Sequence, residues 1–107
     1  MSQPKPELLR WNEEVDGVLS ESAMQKKLEA LGYSVDRWVY APGTVFDFHT
    51  HGVDKIDGVL KGLFKITMYG EDVILGPGDA VKVPKGAEHR AEVLGTESVV
   101  SLDAIKR

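Results

Sequence analysis

From Tyr33 onward, apolar and polar residues alternate in short runs, with Gly, Pro and Asp standing between the runs. Alternation of period two marks strands that bury one face. The runs predict strands over Ser34 to Tyr40, Thr44 to His51, Ile56 to Lys61, Leu63 to Met68 and Val73 to Leu75. Further strands are predicted over Ala80 to Val83, Glu88 to Leu94 and Ser98 to Ala104. Turn residues at Pro42-Gly43, Gly70-Glu71, Gly76 to Asp79 and Pro84 to Gly86 set the reversals. Many short strands with such regular punctuation indicate an all-β sandwich or barrel.

The first third of the chain follows a different period. Met24, Leu28 and Leu31 recur at helical spacing, which predicts one helix. Ser20 or Ser22 is its N-cap, and Ser22 with Gln25 fits a capping box. Gly32 stands where a left-handed C-cap belongs. Leu8 to Trp11 is an apolar patch that reads as a short edge strand. The expected organisation is one domain, with an arm and helix over residues 1–33 packed on a barrel over residues 34–107. Trp38 and Tyr40 share a strand face and are expected beneath the helix stripe. Phe64, Ile66 and Met68 alternate and are expected in the core.

Composition narrows the partners. The chain has 107 residues and a formal charge of −4, from 13 basic and 17 acidic side chains. No basic stripe appears, so nucleic acid is not an expected partner. No run is long and apolar enough to span a membrane or to serve as a signal, so a cytoplasmic location is expected. Cysteine is absent, which excludes disulfides and thiolate metal ligands. A small barrel with an apolar patch on its arm predicts a homodimer in which the arm, including Trp11, packs on the partner's sheet.

The chemistry concentrates in three histidines. His49 and His51 are two apart in an alternating run, so period two puts them on one face. Paired imidazoles on one face form a metal chelate, since neutral imidazole is the commonest transition-metal ligand. His89 follows Pro84-Lys85-Gly86 at the start of another strand. Alternation also puts Asp47 on the face of His49 and His51, and Asp57 on the face of Lys55.

The spacing from Gly43 through five residues to His49-Thr50-His51, and on to Gly62, resembles the first half-motif of the cupins. The stretch from Gly78 through five residues to Pro84, then Gly86 and His89, resembles the second. The resemblance spans residues 34–104. It implies a jelly-roll β-barrel with one short N-terminal helix, and His49, His51 and His89 as ligands of a divalent transition metal: iron, nickel, manganese or zinc. Many cupins add a glutamate from the first motif, and here that position is Lys55. The second motif usually carries an asparagine four residues after its histidine, and here that residue is Val93.

Three neutral imidazoles leave the charge of the metal uncompensated, which favours a small anionic organic molecule as ligand. Lys55 is read in two ways. It either adds to that positive field, as charge partner or catalytic base, or forms a salt bridge with Asp47 and Asp57 that orients the histidines. Asp47 is alternatively a displaced fourth ligand. The implied function is a metal-dependent enzyme of dioxygenase, isomerase or lyase type. The rival is a non-catalytic sensor or storage protein for a metal or metabolite.

Overall fold

The computed structural model describes residues 3–107. In chain order its elements are β1 (Glu7–Leu9), α1 (Glu13–Asp16), α2 (Glu21–Ala30), β2 (Tyr33–Tyr40) and β3 (Val45–His49). Then follow β4 (Lys55–Lys61), β5 (Leu63–Met68), β6 (Glu71–Leu75), β7 (Ala80–Val83), β8 (His89–Leu94) and β9 (Val99–Lys106). They form two antiparallel sheets, ordered β1-β7-β4-β9-β2 and β3-β8-β5-β6. This is an all-β jelly roll: the alternation and turn pattern predict the all-β architecture, and the cupin resemblance implies the jelly roll.

Parity along the strands decides which side chains face the interior. In the five-stranded sheet Val59, Val81, Val83 and Val99 point between the sheets. There they meet Phe64, Ile66, Met68, Ala91 and Val93 of the four-stranded sheet. The opposite parity, Ile56, Ala80, Leu102 and Ala104, points outward and is covered by Met24 and Leu28 of α2. The larger sheet is thus buried on both faces. Each of the two helix anchors is at most 2% exposed, and burying such a side chain stabilises by roughly 1.5–3 kcal/mol. Leu31, expected in the same stripe, is exposed.

Helix α2 starts at Ser20, whose hydroxyl accepts from the Ala23 amide at 3.1 Å. Ser22 lies inside the first turn, so the alternative capping box is not formed. Gly32, with φ of 94°, ends the helix. A second helix, α1, was not expected. It is one turn long, capped by Asn12, and tied to α2 by Lys27, which reaches Asp16 at 2.9 Å.

The patch Leu8 to Trp11 packs within its own chain. β1 pairs with β7 of the same chain, and Leu9 and Trp11 pack on the helix-side cluster. The Trp11 indole donates to the Gly17 carbonyl at 2.8 Å, and the Lys27 ammonium lies 5.1 Å from its ring centroid. Trp38 and Tyr40 do not lie beneath the helix. The face of β2 that meets the helix-side cluster carries Tyr33 and Val35. Trp38 and Tyr40 have the opposite parity, and Tyr40 packs on the interior core.

Candidate metal centre

Antiparallel pairing of β3 with β8 sets His49 opposite His89. His51 lies two residues beyond the end of β3, and its ring stands beside the other two. Ring centroids are 4.3 Å apart for His49 and His89, 4.8 Å for His49 and His51, and 5.0 Å for His51 and His89. One ring nitrogen from each residue lies within 4.8 Å of the others.

Backbone carbonyls orient two of the rings. Nδ1 of His49 is 2.6 Å from the Asp47 carbonyl oxygen, and Nδ1 of His89 is 3.0 Å from that of Ala87. A carbonyl only accepts, so each Nδ1 carries the proton and each Nε2 keeps a free lone pair. Burial, then the positive charge of Lys55 and the neighbouring imidazoles, pushes the pKa of His51 down to about 4. Burial is also the main cause lowering that of His89, against the donation to Ala87. Neutral imidazoles with fixed tautomers suit a divalent transition metal. The three imidazoles would hold one such ion, which would supply Lewis-acid chemistry there.

His49 and His89 form one wall of a cavity of about 140 Å³. Tyr40, Phe46 and Phe64 form an aromatic wall, with ring centroids 4.8–6.4 Å apart. Lys55, Asp57, Asp103 and Ser101 supply the polar part of the lining.

Lys55 points inward from the start of β4. Its ammonium is 2.6 Å from Oδ1 of Asp103 and 3.8 Å from Oδ1 of Asp57. The two aspartates face each other across the β4–β9 pair. The short approach of Lys55 is an ion pair outside hydrogen-bond geometry, so Oδ1 of Asp103 is buried without a hydrogen-bonded donor. Burial is the largest cause pushing the Asp57 carboxyl up to about 7. The Lys55 charge opposes this shift, and Asp103 adds to it. Burial, with the charges of Asp103 and Asp57, drives the Tyr40 phenol up to about 12. The cluster therefore holds one ammonium against two carboxyls, and burial favours the protonated form of Asp57.

The three histidines and the inward Lys55 and Asp57 lie where alternation puts them. Asp47 does not. A bulge between Phe46 and His49 turns both of these residues inward and leaves Asp47 exposed. Its carboxylate accepts from the Phe48 amide at 2.8 Å, and its carbonyl, not its side chain, orients His49. Reasoning from sequence missed Asp103, Ser101, Tyr40 and Phe46, and treated Phe64 as core alone. Asp103 did carry a signal: a charge at the inward parity of a strand whose neighbours Leu102 and Ala104 are apolar.

A family model described as "Cupin domain" matches residues 36–105. Three solved structures illustrate the likeness. KdgF from Halomonas sp. is 30% identical, with a TM-score of 0.62, 71% of this chain covered and 71% of that one. DMSP lyase DddQ from Ruegeria pomeroyi DSS-3 is 26% identical, with a TM-score of 0.62, covering 71% of this chain and 39% of that one. The Cupin_2 domain of an XRE family transcriptional regulator from Enterobacter cloacae is 22% identical, with a TM-score of 0.62, covering 74% and 85%. No curated protein matches the chain significantly. No helix among the described residues is long and apolar enough to cross a membrane.

Proposed function

The chain belongs to the cupin family, and from that premise we propose that it is a metal-dependent enzyme acting on a small anionic organic molecule. The observation that carries this reading is the convergence of His49, His51 and His89, with His49 and His89 tied at Nδ1 to carbonyls and lining a half-open cavity. These three residues would hold one divalent ion, and the ion would act as a Lewis acid on an oxygen of the bound molecule.

Charge selects the ligand. The imidazoles are neutral, and the ammonium of Lys55 is matched by Asp103, so the charge of the ion is left for an anion to balance. The pairing supports the salt-bridge reading of Lys55, with Asp103 and Asp57 as partners. Reaction classes that suit an oxygen-bound substrate at such an ion are lyase, isomerase and dioxygenase chemistry. The likeness to a structure named a lyase supports the first of these.

The test is metal content and turnover together. Protein reconstituted with iron, nickel, manganese or zinc should hold about one ion per chain, as expected of a single three-imidazole site. The triple variant His49→Ala, His51→Ala, His89→Ala should hold none. Unchanged metal content in that variant overturns the site. Loaded protein that binds small carboxylic acids but converts none, with or without oxygen, overturns the catalytic reading in favour of a binding protein.

A further inference from the structure

We propose that Trp38 forms an outer subsite of the cavity: a platform for the ring of an aromatic carboxylic acid whose carboxylate enters the histidine end. The inference rests on the metal-site reading above and adds a substrate class to it.

Trp38 lies on β2, an edge strand of the larger sheet, directly opposite Ser101. Paired residues in an antiparallel ladder share a face, with Cβ atoms about 4.5–5.5 Å apart. Ser101 lines the cavity and is 1% exposed, whereas Trp38 is 52% exposed. The indole thus stands on the cavity face of the barrel, one cross-strand step from the lining. Tyr40, next on the same face, packs against Phe46 and Phe64.

Size and chemistry point to the occupant. A cavity of about 140 Å³ is below the roughly 300–1,000 Å³ of usual ligand pockets. A molecule of ordinary metabolite size has to extend beyond it, and Trp38 stands one cross-strand step from the Ser101 lining. The lining nearest β2, with Tyr40 against Phe46 and Phe64, is aromatic, which favours a planar ring in offset or edge contact. The acid group follows from the uncompensated charge at the histidine end.

A second copy of the chain fits this edge poorly. Pairing β2 with itself about a two-fold axis near the strand centre sets Asp36 against Asp36 or Arg37 against Arg37. Like charges directly opposite are destabilising.

The experiment loads the protein with nickel, measures metal content, and titrates with phenylacetate and with acetate. Calorimetry and tryptophan fluorescence provide the readouts. Phenylacetate should bind about three- to tenfold tighter than acetate, the gain expected of one aromatic contact. Trp38→Ala should abolish that difference while leaving nickel content and acetate affinity within about twofold, as expected if only the ring contact is lost. Trp38→Phe should keep most of the difference. Equal affinities in the parent protein overturn the subsite, as does a Trp38→Ala loss shared by both acids. Fluorescence that follows protein concentration and ignores phenylacetate also overturns it, and makes β2 a self-association edge. Failure to take up nickel falls on the metal site itself and is read separately from the metal content.

Discussion

Replacing Lys55 by methionine removes the only cation among the described residues that faces Asp57 and Asp103, while keeping most of the side-chain volume. The three side chains are 10%, 14% and 19% exposed, so water does little to shield the carboxyls that remain. Breaking a buried pair by deleting one partner destabilises by roughly 3–5 kcal/mol. Asp57 can relieve part of this by keeping its proton, so about 3 kcal/mol is expected at neutral pH. For a domain of this size that lowers Tm by roughly 10–20 °C. The loss should depend on pH. The folded pKa of Asp57 lies above its unfolded value of 3.8, so its contribution to stability is complete below that value and is lost as pH rises through about 7. Lys55 holds that pKa down, and without the lysine the proton is retained to higher pH. Each unit of further rise is worth about 1.4 kcal/mol, so the deficit of the variant should grow by about 1 kcal/mol between pH 6 and pH 8. Urea unfolding of metal-free protein at the two pH values measures it. The double variant Lys55→Met, Asp103→Asn should recover most of the loss at pH 6, where Asp57 keeps its proton and no unpaired charge remains. If Lys55→Met stays within about 0.5 kcal/mol of the parent at both pH values, as an ordinary surface change would, the buried-triad account is wrong.

Two further outcomes follow from the same structure. In metal-free protein, His51 and His89 have folded pKa values below 6.5, that of His51 at about 4, so their contribution is complete above pH 6.5 and is lost as pH falls below it. Asp57 runs in the opposite sense over nearly the same window, so Asp57→Asn should show a steeper rise of stability with pH than the parent; a slope no steeper contradicts the assigned shifts. Gly78→Ala combines a φ of 92° with a new Cβ only 2.8 Å from Cβ of Trp11, whereas Gly95→Ala has a φ of 74° and open space. The first should lose about 1 kcal/mol more than the roughly 1–2 kcal/mol of backbone strain expected of both, and equal losses in urea unfolding would show that Trp11 yields freely.

What was legible from the chain follows its local rules. Alternation and turn chemistry located the barrel strands and left the one-turn helix α1 unseen, because four residues carry too little periodicity. The histidine pair was legible because spacing of two keeps both rings together, even though His51 lies past the end of β3. Parity failed wherever it had to be carried through an irregularity or fixed against a layer that covers both faces. One extra residue between Phe46 and His49 reversed the face of Asp47. On β2 both faces looked buryable, and only the seating of α2 on Tyr33 and Val35 assigned Trp38 to the cavity side. The pairing of Asp103 with Lys55 was hidden for a different reason. Charge in a barrel interior balances across strands, so the partner of Lys55 is set by the register of β9 on β4, information that no window around residue 55 contains. A lysine in the slot where many relatives carry a glutamate looks like a lost ligand along its own strand. Across the sheet it is one member of a buried ion cluster, and the negative charge the slot lacks stands on Asp103, 2.6 Å from the ammonium that holds it.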